Sequence, residues 1–230
     1  MSIPKNPETI IIKNKYYPNG IKEIDVWNYY QKEKPRILNQ TRGRDLMFFI
    51  AIELNDFIVK RKGYNGNSNI QFTNSNYDKI MNGRITSVHC GMKAYEDICV
   101  IDIDSDDFKK AKEATLDVYE AMMKSPFVQT VKIRFTGKTS FHIHCTMGRK
   151  IKIESIKYLA LKHLKDSRLE DKYTISGKRS KGIPNIDLAP LKVNGNFICL
   201  NSLSVLGLKC MEVDYDRINT FSPHQAIVKF

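Results

Sequence analysis

Two aspartates stand one residue apart in Val100-Ile101-Asp102-Ile103-Asp104, at the end of a run rich in β-branched residues. On an extended strand, residues two apart point to the same face, so Asp102 and Asp104 aim two carboxylates at one spot. Close, unpaired carboxylates repel and resist ionising together. A hard divalent cation such as Mg²⁺ or Mn²⁺ removes that penalty, because it prefers carboxylate oxygens. The plainer reading is a strand that ends in an acidic turn, since Asp106 and Asp107 follow.

A second cluster is Arg134-Phe-Thr-Gly-Lys-Thr-Ser-Phe-His-Ile-His144. Ser140, His142 and His144 alternate with Phe141, Ile143 and Cys145, which predicts a strand with one polar and one apolar face. The turn before it supplies Gly137, Lys138 and Thr139: backbone amides, a cation and a hydroxyl. That is the donor set a triphosphate takes. A lone histidine on a strand is most simply a satisfied, half-buried side chain. Two histidines and a serine on one face, beside a basic glycine turn, weigh against that reading. A zinc hydrolase built from two His and two Asp lacks HExxH-type spacing, so no zinc is expected. In Asn185-Ile-Asp-Leu-Ala-Pro190, Asp187 opens an apolar stretch after a basic loop. It gains meaning only where the sheet brings it beside Asp102 and Asp104.

The elements that must position these residues follow from periodicity. Residues 23–34 predict a short helix ending before Pro35. Leu46, Phe49, Ile50, Leu54, Phe57 and Ile58 recur at helical spacing and predict a second helix, closed by Lys60-Arg61-Lys62 and Gly63. Residues 64–76 predict a loop. Strands are expected over 98–104, 131–136 and 140–147, with helices over 107–124 and 153–166. Residues 174–185, basic and rich in Gly and Ser, predict a mobile loop, and 197–205 and 208–213 two closing strands. From residue 98 onward the order is β-α-β-β-α-β, an α+β pattern that predicts a ferredoxin-like or RNA-recognition-like sheet over 98–213 on two helices. The expected organisation is one domain over 1–230, with a mixed helical lobe over about 1–90 and a motif-bearing lobe over about 91–230.

Of the 230 residues, 42% are hydrophobic and 27% charged, as in a soluble globular protein. No apolar run approaches the roughly 20 residues needed to cross a bilayer, and Met1–Lys5 lacks the apolar core of a signal peptide. These features predict a cytoplasmic, nucleoid-associated protein without a membrane partner. Lys and Arg number 37 against 25 acidic residues, a net charge of +12 that attracts polyanions. A lysine-rich compositional bias explains the same excess, so charge alone does not decide the partner. The five cysteines, at 90, 99, 145, 199 and 210, show no CxxC pair, and three of them sit in apolar runs, as buried reduced thiols do.

Taken together, the motifs resemble those of the archaeo-eukaryotic primase superfamily. Val100-Ile-Asp-Ile-Asp104 is similar to its hydrophobic-Asp-hydrophobic-Asp first motif, and Phe135-Thr-Gly-Lys-Thr-Ser-Phe-His-Ile-His-Cys145 to its Phe-Ser-Gly-x-x-Gly-x-His-x-His second motif. Asp187 falls where the third-motif aspartate stands. Ser202-Leu-Ser204 with Gly207-Leu-Lys209, Arg44-Asp-Leu-Met-Phe48 and the ending Phe221–Phe230 resemble elements of the archaeal primase small subunit. Tyr17-Pro18 and Tyr29-Tyr30 also resemble the polymerase domain of end-joining ligases. The likeness runs from about residue 17 to the end. Departures are the absence of a Cys/His zinc module, Ser204 in place of a histidine, Ser140 in place of a glycine, and a short chain.

The resemblance implies a primase-like core and template-dependent nucleotidyl transfer with two divalent metals, Mg²⁺ or Mn²⁺. Asp102 and Asp104 would bridge the metals and Asp187 complete one site. His142 would contact the incoming triphosphate, with Ser140, Lys138 and Arg44 as further candidates. The implied partners are a single-stranded DNA template, ribo- or deoxyribonucleoside triphosphates, and a primase large subunit. The basic stretches 60–63 and 176–182 are candidates for template contact. Against this primase reading stand a gap-filling or end-joining repair polymerase and a non-catalytic nucleic-acid-binding module. A module of that last kind stacks bases on sheet aromatics, whereas the ligand-facing strand positions here are Asp, Ser and His.

Overall fold

The structure is a computed structural model that describes residues 4–61, 69–177 and 180–230. The chain forms two compact units: Met1–Gly91 with Ile198–Cys210 and Pro223–Phe230, and Met92–Phe197 with Met211–Ser222. Among the described residues no helix is long and apolar enough to cross a membrane.

In the first unit β1 (Ile10–Asn14) and β2 (Tyr17–Lys22) form a hairpin that leads into α1 (Glu23–Thr41). The Asp25 carboxylate accepts the Lys22 backbone N–H at 2.8 Å and so satisfies a donor at the helix start. Proline was expected to end this helix, yet α1 runs through Pro35 to Thr41. An interior proline loses one backbone hydrogen bond and costs about 3 kcal/mol. Contacts beyond it offset that cost: Ile37 is fully buried, and Gln40 bonds both the carbonyl and the amide of Leu200.

The helix expected over 46–58 is instead a hairpin, β3 (Leu46–Glu53) and β4 (Asp56–Lys60). Phe48-Phe49-Ile50-Ala51-Ile52 is a continuous apolar run, whose helical spacing is fortuitous. Aromatic and β-branched residues favour a strand, and neighbours Met47 and Phe48 are both buried on opposite faces. Asn55, at φ 58°, makes the turn and exchanges two hydrogen bonds with the Lys13 backbone. After a short α2 (Tyr77–Ile80), β5 (Ile85–Gly91) pairs antiparallel with the other side of β3. Of the expected loop 64–76 and basic cluster 60–63, residues 64–68 and 62–63 lie outside the described residues.

In the second unit the elements are β6 (Tyr95–Asp104), α3 (Phe108–Met123), β7 (Thr130–Phe135), β8 (Phe141–Lys152), α4 (Ile153–Asp166), β9 (Thr174–Ile175) and β10 (Asn185–Asp187). After these come β11 (Asn196–Ile198), which runs into the first unit, and β12 (Met211–Val213). One sheet has the order β12-β7-β8-β6-β10-β9. Its central part, β7-β8-β6-β10, is antiparallel at every junction, the arrangement of a split β-α-β sheet. The strand completing it is β10, which starts at the last residue of the expected loop 174–185, not the expected 197–205 or 208–213. Those two segments hold only β11, β12 and an isolated bridge, Leu203 to Lys209.

Alternation decides which face of this sheet is covered. Ile101, Ile103, Ile133, Phe135, Phe141, Ile143 and Cys145 are buried toward α3 and α4. Phe108, at the start of α3, lies 5.6 Å from Phe141 and 6.1 Å from Phe135, ring centre to ring centre. Asp107 caps α3, its Oδ1 accepting the N–H groups of Lys109 and Lys110. With the apolar side held by two helices, the polar side chains of the same strands share the other face.

Candidate active site

Strand register assembles that polar face into a row. Glu212 on β12 lies opposite Arg134 on β7, Arg134 opposite His142 on β8, His142 opposite Asp102 on β6, and Asp102 opposite Asp187 on β10. Directly opposed residues project from the same face. Five strands thus contribute one side chain each to a single line. Asp104 lies two residues beyond Asp102 and opposite Asn185, and His144 two residues beyond His142 and opposite Lys132. The face is divided by charge. β7 and β8 bring Lys132, Arg134 and both histidines, while β6 and β10 bring three carboxylates.

Side-chain contacts tie the line together. The Ser140 hydroxyl donates to Asp104 Oδ1 at 2.6 Å. Asp187 Oδ1 accepts the Ala189 N–H at 2.8 Å. His142 Nε2 stands 3.5 Å from Asp102 Oδ1, at the outer limit of a hydrogen bond. Arg134 reaches His144 Nδ1 at 3.2 Å with one amino group and Glu212 at 3.2 Å with the other. Burial, helped by the Arg134 cation and opposed by Asp104, lowers the His142 pKa to about 4. The same burial and cation push His144 well below its usual value. Both imidazoles are therefore neutral at pH 7, and the contact to Asp102 is polar rather than an ion pair.

Among the described residues, buried polar atoms of this face without a hydrogen-bond partner include His142 Nδ1, His144 Nε2, Arg134 Nε and Asn185 Oδ1. Buried polar groups are ordinarily satisfied, so this face holds donors and acceptors that solvent or a polar ligand could meet. Among the described residues no group of three or more His, Cys, Asp or Glu is closed into a metal-binding cluster. Two of the three carboxylates are turned onto the Ser140 hydroxyl and the Ala189 amide. The register nevertheless leaves Asp102, Asp104 and Asp187 as the hard donors that share the face.

The second unit thus holds six of the seven residues singled out from sequence: Asp102, Asp104, Asp187, His142, Ser140 and Lys138. Lys138 is exposed in the β7–β8 turn, where Gly137 takes φ 94°, a conformation that side chains resist. The turn is tight, with Thr136 bonding the Ser140 carbonyl through both N–H and hydroxyl. Arg44 belongs to the first unit, where its guanidinium donates to the Gly91 carbonyl at 3.0 Å. Arg134 and Glu212 were given no role, and His144 only a place on the polar face. The signal for Arg134 was present in the alternation of Val131-Lys-Ile-Arg-Phe135, which puts Lys132 and Arg134 on one face.

The sequence matches no family model and no curated protein. Among solved structures, the fold is similar to that of the polymerase domain of Mycobacterium tuberculosis Ligase D in complex with DNA. The TM-score is 0.74 at 10% sequence identity, covering 94% of this chain and 88% of that one. At that identity the likeness is one of fold alone: this chain has an α+β fold similar to that of the polymerase domain.

Proposed function

We propose that this chain is a template-dependent nucleotidyltransferase of the primase-polymerase kind, working on the polar face of its second-unit sheet. The observation that carries the reading is the five-strand row Glu212-Arg134-His142-Asp102-Asp187, in which two aspartates stand beside an imidazole and a guanidinium, the latter backed by Glu212. Nucleotidyl transfer bonds the α-phosphorus of a nucleoside triphosphate to a hydroxyl oxygen as pyrophosphate leaves, and needs both kinds of group side by side.

Asp102, Asp104 and Asp187 fit a divalent cation by donor type and shared face. Mg²⁺ or Mn²⁺ held there would lower the pKa of an attacking 3′-hydroxyl and neutralise the triphosphate. Ser140 orients Asp104 through its hydroxyl. His142, neutral and buried, offers a hydrogen bond to a phosphate oxygen without carrying a charge of its own. Lys138 and Arg134 supply the positive charge, and Arg44 is a further candidate for the triphosphate. Single-stranded or end-proximal DNA is the proposed template. Its support is the net charge of +12 and the DNA bound to the structurally similar domain.

That similar domain belongs to a ligase, which favours gap-filling or end-joining synthesis over primer synthesis. Incorporation of labelled nucleotides with Mn²⁺, on templates with and without a primer, separates the two. Extension that requires a primer supports the repair polymerase. Products made without one support the primase, and a search for its large-subunit partner. DNA binding with no product under either condition would leave a binding module and overturn the enzyme reading.

A further inference from the structure

The five cysteines are all buried, and two of them meet within the first unit. Cys90 lies near the end of β5, and Cys199 directly after β11. The Cys199 N–H donates to the Val88 carbonyl at 3.0 Å, which fixes Cys199 beside β5. The two sulfurs stand 2.8 Å apart, and both side chains are fully buried. The Cys90 thiol also reaches the Gln40 carbonyl, at 3.8 Å. With its hydrogen on that oxygen, the Cys90 sulfur turns lone pairs toward Cys199.

The plainer reading is two small apolar side chains in ordinary contact. The distance argues against it. Non-bonded carbon atoms rest about 3.5–4.0 Å apart, and sulfur is larger. A covalent S–S bond is about 2.05 Å long, so less than about 1 Å of movement separates this pair from linkage. Buried thiols are ordinarily inert, because burial disfavours the thiolate. Here Cys199 follows a strand of only three residues, and so short an element opens locally at little cost. Sequence distance gives the link a consequence. The two cysteines are 109 positions apart, and the chain between them includes Met92–Phe197 of the second unit, with Asp102, His142 and Asp187. A bond that closes so long a loop constrains the unfolded chain strongly.

We propose that Cys90 and Cys199 form a redox modification site, which hydrogen peroxide converts to an intramolecular disulfide. One sulfur attacks a peroxide oxygen and the O–O bond breaks. The other oxygen leaves as water, carrying the thiol proton, and the sulfur becomes a sulfenic acid. The neighbouring sulfur attacks that sulfur, the S–O bond breaks, and a second water leaves with the second thiol proton. Two thiols thus lose two hydrogens while one peroxide becomes two waters. In a reducing compartment the dithiol is the resting form, and small thiols restore it by exchange. The oxidised chain has its long loop closed and resists unfolding. The site stands independently of the catalytic reading.

Treatment of the reduced protein with hydrogen peroxide, in native buffer and in urea, tests it. In native buffer the mass is expected to fall by about 2 Da, the two hydrogens lost. Thiol titration is expected to find two fewer than the five thiols of the sequence. Trypsin cuts after Arg84, Lys93, Lys192 and Lys209, which puts Cys90, Cys199 and Cys210 on separate peptides. The Cys90 and Cys199 peptides are expected to run joined without reductant and apart with it. Cys90→Ser and Cys199→Ser should each lose that product, and Cys99→Ser should keep it. The linked protein should unfold at a higher urea midpoint, and dithiothreitol should reverse the shift. Oxygen addition without a link overturns the proposal. So does a link that forms only in urea, or one that joins other cysteines, such as Cys99 and Cys145, which lie opposite each other on β6 and β8. A linked protein with an unchanged urea midpoint overturns the loop-closing role. Should a serine variant not fold by circular dichroism, the wild-type peptide map decides.

Discussion

Removing one carboxylate from the row should strengthen the metal-free protein and disable its response to metal. Asp187 lies directly opposite Asp102 on the neighbouring strand, and Asp104 is two residues further along. Like charges directly across a ladder destabilise it by about 0.2–1 kcal/mol. Asp187→Asn keeps the side-chain oxygen that accepts the Ala189 N–H, and removes only the charge. In EDTA the variant should therefore unfold at higher urea, by about 0.2–1 kcal/mol. With Mn²⁺ at 100 times its dissociation constant, the wild type should gain about 2.7 kcal/mol, because only the folded state gathers the carboxylates. A tenfold loss of affinity in the variant would cut that gain to about 1.4 kcal/mol at the same concentration. Urea melts followed by circular dichroism, with EDTA and with Mn²⁺, give all four values. A variant less stable than wild type in EDTA, or stabilised equally by Mn²⁺, would refute the reasoning.

Two further outcomes follow from the same unit. His142 is buried with its pKa lowered to about 4 from 6.5, so the unfolded chain binds the extra proton first. Its contribution is fully present above pH 6.5 and is lost as pH falls toward 4, about 3 kcal/mol in all. Urea melts of metal-free protein should show that slope added to the one His144 contributes in the same direction, and His142→Gln should lessen it. Asp107→Ala removes the acceptor of two amides at the start of α3 and should cost about 1 kcal/mol in thermal unfolding. Nucleotide incorporation at moderate temperature should be unchanged by that substitution.

The sequence announced the middle of the second unit clearly. β6, α3, β8 and α4 each carry a strong period, and Asp107 marks a helix start. The hairpin of β3 and β4 was not legible, because six apolar residues happen to fit a helical stripe while the same run also fits a strand buried on both faces. Pro35 misled in the other direction: a proline is a probable helix end, and tertiary contacts of Ile37 and Gln40 overrode it. β10 was missed because three residues between Pro184 and a turn show no period. Yet β10 is what sets Asp187 opposite Asp102. Residue types could nominate Asp102 and Asp104 as a pair from strand alternation alone, but only strand order could add Asp187 and Arg134 to their row.

The most direct test of the central claim is template-directed incorporation of a single labelled nucleotide with Mn²⁺, comparing the wild type with Asp102→Asn/Asp104→Asn. Folding and DNA binding are checked on the same preparations. The account predicts primer extension by the wild type and a loss of at least about 10³-fold in the double variant, with DNA still bound. Extension at the wild-type rate by the double variant would contradict it.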